Sequence, residues 1–99
     1  MAQTFRDLIQ SGKPVLVDFF ATWCGPCKVM TPVLEELKQE VGDKLTIIKV
    51  DIDKQPGLAR ALSVQGVPTF VLFKDGTPQW RQSGAMSKMQ LKRFLQPHL

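Results

Sequence analysis

Val29, Met30, Val33, Leu34, Leu37 and Val41 recur at steps of three and four, which predicts one apolar face on a helix opening near Pro26. Gly42 ends that helix, and Pro32 within it is expected to kink it. A shorter apolar stripe, Phe5, Leu8 and Ile9, follows Thr4, with Asp7 placed to complete a cap; Gly12 and Pro14 stop it. Leu58, Ala61 and Leu62 predict a short helix after Pro56-Gly57. Ser87 and Gln90 have capping-box spacing, and Met89, Leu91, Phe94 and Leu95 continue into a last amphipathic helix.

Between these stripes the pattern changes. VLVDFFA, from Val15, is apolar on both faces and reads as a buried strand, with Asp18 its one polar member. LTIIKVDI, from Leu45, and PTFVLF, from Pro68, read as two more. Asp75-Gly76 is a turn signal, so residues 79–83 are expected to fold back as a hairpin partner. Helices alternate with strands, which places the chain in the α/β class with a mixed sheet.

The chain of 99 residues suits a single domain over residues 1–99. Hydrophobic residues at 43% and charged residues at 22% exclude a disordered chain. No apolar run is long enough for a membrane span, since Asp18 interrupts the longest. The net charge of +4 comes from scattered lysines and arginines, which argues against nucleic-acid binding. From Lys54 onward Asp75 is the only acidic residue, so that half favours acidic protein partners. The opening MAQTFRDLIQSGK lacks the apolar core of a secretion signal, so a cytoplasmic location is expected; a trimmed precursor would read the same.

The only two cysteines, Cys24 and Cys27, stand in ATWCGPCKVM with Gly25 and Pro26 between them. As a structural staple they would close a minimal loop, for a small entropic gain. As a zinc site they supply two of four ligands. The only histidine, His98, is near the C-terminus, so a second chain would have to contribute. Two buried bystander thiols are a further reading. The local chemistry points to redox work. Cys24 falls where a strand loop enters a helix, and unpaired N–H groups there favour an anion. Pro26 suits the first helical turn, and Cys27 falls within bonding reach of Cys24. One exposed, nucleophilic thiolate and one more buried partner are expected, forming a reversible pair.

WCGPCK after VDFFAT, followed in order by KVDID, GVPTF, FKDG and SGAMSK, resembles the thioredoxin family from about residue 14 to residue 95. The family is itself a standard example of a C-x-x-C redox motif. The resemblance implies the thioredoxin fold and protein-disulfide reductase activity, within cellular electron transport and redox homeostasis. It implies that Cys24 attacks a client disulfide and that Cys27 resolves the mixed disulfide. Gly25-Pro26 is the pairing typical of reducing members. No bound metal or organic cofactor is implied. Electrons would come from NADPH through a flavoprotein thioredoxin reductase, and the other partners would be disulfide-containing client proteins.

By the same resemblance Asp18 is a buried carboxylate that takes the proton of Cys27, directly or through a water. Lys49 is the lysine near it and is expected to pair with it. Pro68 is the family's cis proline facing the cysteines, and the Val67 backbone pairs with an extended client segment. Trp23, Gly66, Val67, Gly84 and Ala85 form the docking surface beside Gly25 and Pro26.

The chain departs from the family in places. Phe20 replaces a frequent tryptophan, Ser83 a usually apolar residue, and Trp80 a usually small one. Trp80 is open to two readings, strand-face packing or an added client contact. Thr4 already caps the first helix, so the family's first strand is not expected within the residues given. Four strands are therefore expected, with residues 45–50 at an edge. Such an edge allows weak self-association unless the N-terminal residues cover it, so a monomer or weak dimer is expected. Two rival functions remain. One is an oxidase or isomerase type of exchange. The other is a non-cycling binding subunit that uses the same surface.

Overall fold

The computed structural model describes residues 4–99. Strand β1, Val15–Phe20, has no exposed position because it runs inside the sheet with a layer of helices on each face. It pairs in parallel with β2, Thr46–Asp51, and antiparallel with β3, Thr69–Lys74. Strand β4, Thr77–Ser83, returns beside β3, and the sheet order is β2-β1-β3-β4. The described residues thus form four strands with β2 at an edge, as the sequence predicts. Whether the chain's start covers that edge falls on residues 1–3, outside the described residues.

Helix α1, Phe5–Ile9, opens with the expected Thr4–Asp7 capping box. Helix α2, Gly25–Val41, runs on through Pro32, which lies inside it without ending it. Helix α3, Pro56–Ala61, is short; α4, Lys88–Leu95, carries the Ser87–Gln90 capping box. Two short 3-10 turns follow α2 and α4, at Gly42–Lys44 and Gln96–His98.

The alternation of β1 sends successive side chains to two separate cores. Leu16 joins Phe70 and Leu72 against Met30, Leu34 and Leu37 of α2 and Leu91 and Leu95 of α4. Val15, Val17 and Phe19 join Val50, Val71 and Phe73 against Ile9 of α1, with Leu58 and Leu62 on the α3 side. The β3–β4 turn puts Asp75 at φ 51° and Gly76 at φ 81°, the pair of left-handed residues that a tight hairpin needs. Trp80 stacks on Phe94 of α4, ring centres 5.1 Å apart, so it is a packing residue on the strand face.

The register between β1 and β3 assembles the site. Because these strands run in opposite directions, Phe19 near the end of β1 sits opposite Thr69 at the start of β3. The loop leaving β1 carries the cysteines, and the loop entering β3 carries Pro68. Both therefore emerge at the same end of the sheet.

Candidate active site

Cys24 is the N-cap of α2, with extended φ and ψ, and its Sγ accepts the backbone N–H of Cys27 at 3.1 Å. That bond meets one of the helix's unpaired donors, and together with the helix dipole it stabilises negative charge on the sulfur. Pro26 lies in the first turn, where its missing N–H costs nothing. Cys24 and Cys27 are joined as a disulfide, Cα to Cα 5.3 Å.

Exposure does not separate the two sulfurs, contrary to the expectation of one open and one buried cysteine. Cys24 is 4% exposed and Cys27 5%. Ala21 is buried with them, and Phe20, Ile52 and Val67 pack around the pair. Direction separates them instead. Cys27 belongs to the inward row of α2 with Met30, Leu34 and Leu37. The Cys24 Sγ lies 3.6 Å from the Val67 carbonyl oxygen, at the loop entering β3. A disulfide sulfur has no proton to donate, so this is a contact that becomes a possible hydrogen bond only in the reduced thiol.

The Val67–Pro68 peptide is cis, as the resemblance implies. Pro68 is buried, Val67 half-buried, and Gly66, Gly84 and Ala85 are exposed around them. The Gly84 N–H donates to the Pro68 carbonyl at 2.8 Å, and Gly84 reaches this position with φ at 98°, a conformation that favours glycine. Among the described residues the Val67 N–H has no backbone acceptor. An N–H and a C=O left without backbone partners on one residue can receive a partner strand.

Asp18 is 1% exposed, on the same sheet face as Phe20, and neither carboxylate oxygen has a hydrogen-bond partner among the described residues. Burial pushes its pKa from 3.8 up to about 6, and the charge of Lys49 partly counters this. Lys49 is its register partner on β2, but the expected ion pair is not formed among the described residues. The Lys49 ammonium instead lies over the Phe20 ring, 4.8 Å from its centre, where it stays solvated and gains a cation–π contact. Phe20, Ala21, Thr22, Cys27, Lys28, Thr31 and Lys49 line an open pocket of about 220 Å³. Solvent can therefore enter beside Cys27.

Trp23 is 68% exposed, and its indole Nε1 donates to Asp53 Oδ2 at 2.8 Å. Sequence reasoning gives Asp53 no role. Its signal lies in KVDID, where Asp51 Oδ1 accepts the Asp53 N–H at 2.9 Å and turns the chain back toward Trp23. Ser83, the departure beside Gly84, bonds through Oγ to Thr69 Oγ1 at 2.9 Å.

A cysteine pair at a helix start, closed as a disulfide beside a cis-proline loop with an open backbone, defines a thiol–disulfide oxidoreductase. The family model described as Thioredoxin matches residues 1–97. Thioredoxin of Mycolicibacterium smegmatis is 55% identical over 91 residues, covering 90% of this chain and 81% of that one. Chloroplastic thioredoxin X of Arabidopsis thaliana is 51% identical over 90 residues, 89% of this chain and 50% of that one. The oxidised mitochondrial thioredoxin 3 of Saccharomyces cerevisiae superimposes with a TM-score of 0.86 at 39% identity, covering 94% of this chain and 86% of that one. The chain belongs to the thioredoxin family. It is a protein-disulfide reductase whose Cys24–Cys27 pair cycles between dithiol and disulfide. Thioredoxins hold their electrons on that dithiol, bind no cofactor, and work with thioredoxin reductase and disulfide clients.

Proposed function

We propose that this chain passes electrons from NADPH, through a flavoprotein thioredoxin reductase, to disulfides of client proteins in the cytoplasm. In the reduced protein the Cys24 thiolate attacks one client sulfur. The Cys24–client bond forms, the client disulfide breaks, and one client thiolate leaves. Cys27 then gives its proton to Asp18 and attacks the Cys24 sulfur. The Cys24–Cys27 bond forms and the second client thiolate is expelled. Two electrons have moved from the chain to the client, the proton taken up by Asp18 passes on to solvent, and the two client thiolates take protons from water.

The observation that carries this reading is the placement of Cys24. Its sulfur is held by the Cys27 N–H on one side and borders the Val67 carbonyl on the other. An incoming strand paired to Val67 brings its disulfide to that sulfur. Asp18 suits the proton transfer because its raised pKa of about 6 lies near working pH. Lys49 limits that rise by its charge. Trp23, Gly25, Pro26, Gly66, Gly84 and Ala85 supply the surrounding exposed contact surface. The edge position of β2 supports weak self-association along residues 45–50, which sedimentation at high concentration checks.

The test is insulin reduction with NADPH and thioredoxin reductase. Steady NADPH consumption that depends on Cys24 is expected. Folded protein that fails to turn over would overturn the proposal.

A further inference from the structure

The residue that presents its backbone beside Cys24 is Val67, and the loop carrying it, between α3 and β3, has few bonds of its own. Ser63 donates its N–H to the Arg60 carbonyl at 3.0 Å and Val64 to Ala59 at 2.9 Å, which close the end of α3. Past Val64, among the described residues, no backbone N–H of the loop finds a backbone acceptor before β3 begins. Ser63 is also at φ 55°, a left-handed conformation that a non-glycine residue holds at a cost. Such a segment would be mobile unless side chains from elsewhere held it.

Two side chains of β4 reach it. The Arg81 guanidinium donates through Nη1 to the Leu62 carbonyl and through Nη2 to the Ser63 carbonyl, the latter at 2.7 Å. These carbonyls end α3, where a cation is favoured by the helix dipole, and the planar fork suits two adjacent acceptors. Ser83 acts at the other end of the loop. Thr69, fully buried, donates its hydroxyl to the Gly66 carbonyl at 2.6 Å. Its single proton is then spent, so in the 2.9 Å contact between the two hydroxyls Ser83 is the donor and Thr69 the acceptor. The chain of donors runs Ser83, Thr69, Gly66.

Arg81 and Ser83 are two apart on β4 and so share a face of the sheet. They hold the loop before and after its exposed stretch. We propose that Arg81 and Ser83 are positioning residues that pre-order the Gly66–Val67 backbone for the client strand. The proposal rests on the reading that clients pair with Val67. It explains why a hydroxyl at residue 83 serves this chain where an apolar side chain is usual. The hydroxyl aids docking through the loop, because a segment already ordered loses less freedom when a client binds.

The experiment compares wild type with Arg81→Met, Ser83→Ala, Ser83→Thr and, as a charge control, Arg93→Met, an exposed arginine on α4. Reduction of insulin is followed through NADPH and the reductase, with hydrogen exchange of the Gly66 and Val67 amides measured alongside. Arg81→Met and Ser83→Ala are expected to raise KM about three- to tenfold with kcat within about twofold, as loss of one or two pre-ordering hydrogen bonds predicts. Their two amides exchange faster, Ser83→Thr restores KM by keeping the donor, and Arg93→Met matches wild type. An unchanged KM and unchanged exchange in Arg81→Met and Ser83→Ala, beside an active wild type, overturns the proposal alone. So does a fall in kcat and thermal stability with KM unmoved, which marks a merely structural role. A wild-type protein without turnover overturns the reductase reading and this proposal with it.

Discussion

Asp18 and Lys49 face each other across adjacent parallel strands and do not form an ion pair. The lysine has gone to the Phe20 ring and to water, and the carboxylate is left buried without a partner. A charge in that position opposes folding, and the protein accepts this at the centre of its site.

The first prediction comes from the sign of that shift. Folding raises the pKa of Asp18 from 3.8 to about 6, so the native state binds the proton more tightly than the unfolded chain. The penalty is absent below about pH 4, grows as pH rises toward 6, and is complete above it. Asp18→Asn has no such penalty. Its stability relative to oxidised wild type is expected to improve by roughly 2 kcal/mol between pH 4 and pH 7.5. Denaturant unfolding of both proteins at the two pH values measures this. A constant difference would show that Asp18 titrates as an ordinary carboxyl.

The two cysteines differ in direction though not in exposure, and that difference predicts unequal variants. Cys27→Ser retains the sulfur beside Val67 and is expected to accumulate a stable mixed disulfide with insulin chains. Cys24→Ser removes that sulfur and is expected to trap nothing. Non-reducing gels and intact mass spectrometry distinguish the two. Equal trapping by both variants would mean that the Val67 contact does not select the attacking thiol.

Asp53 holds the Trp23 indole by one hydrogen bond to a charged acceptor at an otherwise open surface. Such bonds contribute about 1–3 kcal/mol, less when solvent competes. Asp53→Ala frees the ring to sample other rotamers, so a two- to fivefold rise in the KM for insulin is expected, roughly 0.5–1 kcal/mol. A change in Trp23 fluorescence between oxidised and reduced protein is the second readout. Unaltered kinetics would place Trp23 outside the client contact.

Trp80 and Phe94 stack at 5.1 Å with an interplanar angle of 27°, joining β4 to α4. Phe94 is 41% exposed, so this stack sits at the rim of its core. Phe94→Ala is expected to lower stability by about 1–3 kcal/mol, with a coupling to Trp80→Ala of about 0.5–1.5 kcal/mol. Reduction kinetics are expected to stay near wild type, because the stack packs against the helix face of the sheet. A KM change in Trp80→Ala would instead assign it the client contact that its position in the sequence allows.

Local rules explain what is legible in the chain. Thr4 with Asp7 and Ser87 with Gln90 cap their helices within a single turn, so spacing alone finds them. The N-cap position of Cys24 is of the same kind. Its burial is not, because Val67 reaches it from 43 residues away. The strand pattern locates Trp80 on a face but cannot see Phe94 on another element. Arg81 is wholly silent, since its acceptors lie 18 and 19 residues back and are backbone carbonyls with no signature of their own. The Asp18–Lys49 pairing fails for a related reason. Register makes them neighbours, but a flexible lysine at an edge strand can choose the ring and the solvent.

Helix α1 is latched to the β3–β4 turn by the Gly76 N–H, which donates to the Ile9 carbonyl at 3.0 Å. Leu99 lines a pocket with Val41 and Lys44, at the far end of the helix that Cys24 caps. The 17 residues of α2 span about 25 Å, and the six of β1 about 20 Å. Both described ends of the chain therefore lie at one pole and the sulfurs at the other. Anchored to a bead, a surface or a neighbouring domain by either end, the protein would still present its reactive pole outward to a bulky disulfide.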